Sequence, residues 1–134
     1  MLKSFNLITV EQEDPLAVRD EQRLRDISSM RLALLSYQVD QLALPPEIDD
    51  DVDTYQMIGT SNDSCVVAGA QRSTVEGCID LFDYIIPEYL LDLPNDPLTG
   101  SSSNTGYYVN LLTDGTLILG AIYVEVDDVL EVNN

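Results

Sequence analysis

The chain has 134 residues, with 24 acidic side chains against 6 basic ones and a net charge of −18 at pH 7. That length fits one domain with a modest core, and a hydrophobic content of 45% argues for a fold over disorder. The charge disfavours nucleic acid and anionic membrane surfaces as partners, and the absence of histidine removes the commonest general base and transition-metal ligand.

The opening stretch MLKSFNLITVEQEDP holds a short apolar patch at Phe5, Leu7, Ile8 and Val10 and then turns acidic. It is too short for a membrane span or a secretory leader. A helix is predicted from Leu16 to about Leu42. Leu24, Ile27, Met30, Leu34 and Tyr37 recur at steps of three and four, which makes one apolar stripe. Asp14 suits the cap and Pro15 the first helical position. Arg19, Arg23, Arg25 and Arg31 are four of the six basic residues in the chain, mixed with Asp20, Glu21 and Asp26. They read either as a solvated face laced with weak pairs or as a basic face meeting an acidic surface on another copy. Pro45 and Pro46 stop the helix.

The next segment, EIDDDVD, sets Asp49, Asp51 and Asp53 at alternate positions like the start of a calcium loop. The EF-hand template then needs Gly and a later Glu, and Thr54 and Thr60 stand there instead, so a solvated loop is expected, with a specific calcium site as the lesser alternative. Asn62-Asp63-Ser64 matches the N-glycosylation pattern, a weak signal at three residues. Cys65 and Cys78 have twelve residues between them. They are either a disulfide formed in an oxidising compartment or two buried thiols, and the disulfide is the expectation carried forward. A short strand is predicted from Cys65 to Gln71 and a short apolar helix within Val75–Leu90, broken by Pro87 and Pro94. Strands are predicted at Gly106–Leu112, Thr116–Val126 and Val129–Val132, with a hairpin turn at Asp114-Gly115. Tyr107 and Tyr108 are expected to divide between core and surface. The sum is α+β: a long N-terminal amphipathic helix packed on a small antiparallel β-sheet, with a short second helix. No nucleophile has a base to serve it, and no glycine-rich phosphate loop precedes a helix. The sequence does not read as an enzyme.

Three phrases in order resemble the type IV pilins and type II secretion pseudopilins. AVRDEQRLRDISSMRLALLSYQVDQLALPP, Ala17 to Pro46, is similar to the family's helix motif, with Arg19-Asp20, Arg23, Asp26, Ile27, Leu34, Tyr37, Asp40 and Pro45 in place. YLLDLPNDP, Tyr89 to Pro97, looks like the phrase that ends the family's second helix. GYYVNLLTDGTLILGAIYVEV, Gly106 to Val126, resembles its strand, turn and strand, with Gly120, Ala121 and Glu125 near the end. The resemblance implies a pilin-like fold over 15–134 and a structural role as the soluble head of a filament subunit. The implied partners are copies of itself and other pilus or secretion-system subunits. The implied location is the cell surface, with the full-length form anchored in the cytoplasmic membrane before assembly. Arg19, Arg23, Arg25 and Arg31 become contact candidates between copies. No cofactor is expected beyond calcium, for which the family's loop site offers Asp92 and Asp96. The family starts with a long apolar helix, which does not follow Met1 here, so residues 1–14 are expected to be a non-native or flexible segment. The alternative is a secreted acidic cation-binding or adhesin-like module that does not polymerise.

Overall fold

The computed structural model describes residues 14–53, 55–61, 65 and 78–133. Helix α1 runs Pro15–Gln41. The Asp14 carboxylate accepts from the Leu16 N–H at 3.0 Å, and Pro15 opens the first turn with φ already helical. The helix stops at Leu42, which adopts a left-handed φ of 61°. Strand β1 is Gln56–Met57, helix α2 is Phe82–Ile85, and strands β2, β3 and β4 are Tyr107–Leu111, Leu117–Ala121 and Leu130–Val132. The sheet is an antiparallel meander in the order β1-β2-β3-β4. The architecture is therefore α+β, with α1 laid across β3 and β4 and touching α2.

The turn between β2 and β3 forms as its residues dictate. Leu112 donates to the Thr116 carbonyl at 2.9 Å, and Gly115 takes a φ of 89° that a side chain would resist. Its Leu119↔Val109 register sends Val109, Leu117, Leu119 and Ala121 toward the helix. There they meet Ile27, Met30, Ala33 and Leu34, joined by Leu81, Ile85 and Leu93 from the α2 region. Tyr37 closes the far end of this core edge-on against Tyr84 and Tyr89 at 5.9 and 5.8 Å.

The other side of the sheet is also covered, which corrects one expectation. Tyr107 and Tyr108 point to opposite faces, as strand alternation requires, yet both are buried. Tyr108 stacks on Tyr55 at 4.1 Å and packs with Met57 and Cys65, while its hydroxyl donates to Glu131 at 2.5 Å. Gly120 lies directly across from Tyr108, and a Cβ there would collide with the phenol ring. Cys65 and Cys78 are joined in a disulfide, with Cα atoms 5.1 Å apart. Ile79 lies alongside β1 in a parallel bridge with Ile58, which holds the bridged cysteines against this second cluster.

Three further differences have local causes. β1 went unpredicted because its two residues show no alternation; it exists through its pairing with β2. β3 ends at Ala121 and not at Val126, because the chain leaves the sheet to carry Glu125 to the helix. Leu24, expected in the buried stripe, is 41% exposed, and Arg23 is buried in its stead. Several expectations lie outside the described residues: the segment 1–13, the strand beyond Cys65 as far as Gln71, the Asn62-Asp63-Ser64 pattern, and the start of the second helix at Val75.

Reducing the disulfide should lower stability by about 3 kcal/mol, the loop-closure value for a span of this size. Denaturant unfolding with and without reductant, alongside a thiol count, measures it. An unchanged midpoint with both thiols free would contradict the assignment.

Candidate functional site

Among the described residues the largest fully buried side chain is Arg23, which is 0% exposed in the N-terminal half of α1. A guanidinium keeps its charge inside a protein, so its N–H groups must find acceptors when water is removed. Three carboxylates from three parts of the chain provide them. Asp96 takes the fork bidentately, with Nε to Oδ2 at 2.7 Å and Nη2 to Oδ1 at 3.1 Å. Nη1 reaches Asp20 at 2.8 Å and Glu125 at 2.7 Å. Arg19, one turn earlier on α1, adds its own fork to Glu125, both contacts at 2.6 Å.

Each carboxylate is fixed by its own backbone surroundings. Asp96 sits in a tight corner: its Oδ1 accepts from the N–H groups of Leu98 and Thr99 at 2.9 and 3.0 Å. That is the Asx-type turn expected of an aspartate before proline. Its own N–H donates to the Thr105 carbonyl at 2.7 Å. Gly100 makes the corner possible, since a Cβ there would strike the Asp96 backbone nitrogen. Asp20 accepts from the N–H groups of Glu125, Val126 and Asp127 at 3.0, 2.8 and 3.1 Å, so it organises the loop between β3 and β4 around one carboxylate. Below this layer Asp26 accepts from the Tyr107 hydroxyl at 2.6 Å and from Gln22 at 2.7 Å.

The electrostatics follow from these contacts. Burial pushes the Asp20 carboxyl up, but the three loop N–H groups and Arg23 more than reverse that and hold it at about 2. Glu125 is also held at about 2, first by Arg19, against some burial, and then by Arg23. Burial works against the Arg23 charge, yet Asp96, Glu125 and Asp20 together raise its pKa above the ordinary arginine value. Burial and then Asp26 raise the Tyr107 hydroxyl, so it remains a donor.

The remaining site residues divide. Arg31 donates to the carbonyls of Leu117 and Asn133, both at 2.9 Å, and pins the last strand to the helix. Arg25 is exposed and bonds Gln22 at 2.8 Å. Of the two calcium candidates, Asp96 has both oxygens engaged by Arg23 and backbone N–H groups, and Asp92 caps the Leu93 N–H at 2.8 Å. Among the described residues no group of three or more acidic or cysteine side chains converges to hold a metal ion. Nor is any helix among them long and apolar enough to cross a membrane. The joining of Arg23 to Asp96 and Glu125 was missed at the sequence level. Its one legible sign is an arginine at a position that shares a helix face with Ile27, Met30 and Leu34.

Replacing Arg23 with Met should cost about 3–5 kcal/mol, since it strands buried carboxylates without their cation. Arg23→Lys should recover part of the loss, because an ammonium keeps the charge but not the fork. Denaturant midpoints decide it; a change under 1 kcal/mol for Arg23→Met would contradict the cluster. A pH dependence follows as well. Asp20 and Glu125 have folded-state pKa values below the ordinary carboxylate value of about 4. Their stabilisation is therefore complete above about pH 4 and is lost as pH falls toward about 2. The surplus surface acids act in the opposite direction, since their protonation relieves repulsion. The stability gap between the native chain and Asp20→Asn isolates the cluster: it should be widest near neutrality and narrow between pH 4 and 2. A gap independent of pH would contradict the assignment. No family model matches the chain, and no curated protein or solved structure matches it either.

Proposed function

We propose that the chain is the globular head of a type IV pilus-like filament subunit, a pilin or pseudopilin, located at the cell surface. One observation carries this reading. The three separate phrases on which the resemblance rests meet in one cluster: Arg19, Asp20 and Arg23 from the helix motif, Asp96 from the LPNDP phrase, and Glu125 from the end of the third. Chance likeness of three short phrases gives no reason for their charged residues to converge in space. A filament head needs such a joint. Force or packing applied along α1 reaches the rest of the domain only through contacts between them, and buried charge pairs resist sliding better than apolar contacts do, because a small displacement leaves a charge unpaired.

A second feature supports the same reading. Leu24, Leu32 and Val39, which helical spacing sets within about a quarter turn of one another on α1, and Leu42 just past its end are exposed, at 41%, 66%, 74% and 90%. Such a stripe suits the neighbouring copies that surround a helix in a helical assembly. Of the four arginines expected to face another copy, Arg19 and Arg23 bond within the chain, Arg31 bonds backbone carbonyls, and Arg25 is the exposed one. The proposed contact therefore centres on the apolar stripe and Arg25.

The test is Leu32→Glu with Val39→Glu in the source cells. Surface filaments containing the protein should disappear, while the purified domain keeps its melting temperature within about 2 °C, since both sites are exposed. Filaments of normal number and length would reject the reading.

A further inference from the structure

One buried polar atom has no explanation in the fold. Asn110, in β2, is 7% exposed, and its Oδ1 has no hydrogen-bond partner among the described residues. Its Nδ2 donates to the Val52 carbonyl at 3.1 Å, so the carboxamide reaches the loop that follows α1. An unsatisfied buried acceptor costs free energy and calls for an occupant. The loop it meets has five carboxylates in the seven residues Glu47 to Asp53. The loop is held against β1 from both sides of one amide: Gln56 accepts from the Asp49 N–H and donates to the Glu47 carbonyl, each at 2.8 Å. The acidic loop thus lies against a carboxamide whose oxygen lacks a donor.

We propose that this juxtaposition is a binding site for one divalent cation of the calcium type. Asn110 Oδ1 is its buried neutral ligand, and Asp51 and Asp53, which flank Val52, provide its negative charge. The chemistry matches: calcium takes six to eight oxygens from carboxylates, amides, carbonyls and water, and does not require three converging acids. A water molecule would satisfy the Asn110 oxygen alone, whereas a cation also draws on the carboxylates of the loop. This site is separate from Asp92 and Asp96, and it does not depend on the filament reading.

The experiment uses the 134-residue chain, stripped with a chelator, then titrated with calcium chloride and with magnesium chloride at constant ionic strength. Binding is followed by calorimetry and by thermal unfolding. The expected result is one calcium per chain, with a dissociation constant of about 10⁻⁴–10⁻³ M and a rise in melting temperature that magnesium does not reproduce. Asn110→Leu keeps the side-chain shape and removes the ligand; it should fold without calcium and lose the rise. Asp51→Asn with Asp53→Asn, altered at exposed positions, should lose at least tenfold in affinity. Absence of binding in the native chain, an equal effect of magnesium, or a calcium effect that survives in either variant overturns the site.

Discussion

A charged guanidinium at the centre of a protein constrains everything around it. Arg23 cannot be neutralised at accessible pH and cannot reach water from its position. The chain must therefore bring carboxylates to it, and it draws them from its own helix, from the corner before β2 and from the loop after β3. The fold is the arrangement in which an apolar helix face and this polar one are satisfied together. Toward its C-terminal half, α1 buries Met30, Ala33 and Leu34; toward its N-terminal half it buries Asp20, Arg23 and Asp26. One face thus changes from polar to apolar along its length, and each half meets a different part of the sheet and its loops.

The polar half specifies what the apolar half leaves open. Hydrophobic side chains of suitable size tolerate sliding and repacking. The fork of Arg23 on Asp96 does not, because a shift of one residue would leave both groups unpaired in a dry interior. The same logic explains why β3 is short. If the strand continued past Ala121, Glu125 and the three N–H groups around it would remain in the ladder, and Asp20 and Arg19 would lose their partners. Among the chain's 24 acids, Asp20, Asp96 and Glu125 have guanidinium groups arranged around them.

Much of this fold can be read from the residues, and the exceptions have physical reasons. The helix is legible because its cap, its proline and its stripe are local. The Asp114-Gly115 turn and the strands beside it are legible for the same reason. Leu24 departs from the apolar spacing because burial of Arg23 turns the helix away from it. Asp96 was recognisable as a turn aspartate, since that role depends on its immediate neighbours. Its partnership with Arg23 was not, because the two lie 73 residues apart. β1 and the burial of Tyr108 were hidden likewise, as both depend on chain that arrives from elsewhere to cover the sheet. Nothing in the sequence marks the Asn110 side chain as buried and half-satisfied; only the position of Val52 above it shows that.

Arg23 and Asp96 act as one unit that joins the helix to the corner. A double-mutant cycle with Arg23→Met and Asp96→Leu, read by denaturant unfolding, measures that coupling. Each single change removes the partner of a buried charge, and the double change removes the pair. The double variant should be little worse than either single one, with a coupling energy of about 2 kcal/mol or more. Single-variant losses that simply add would contradict it.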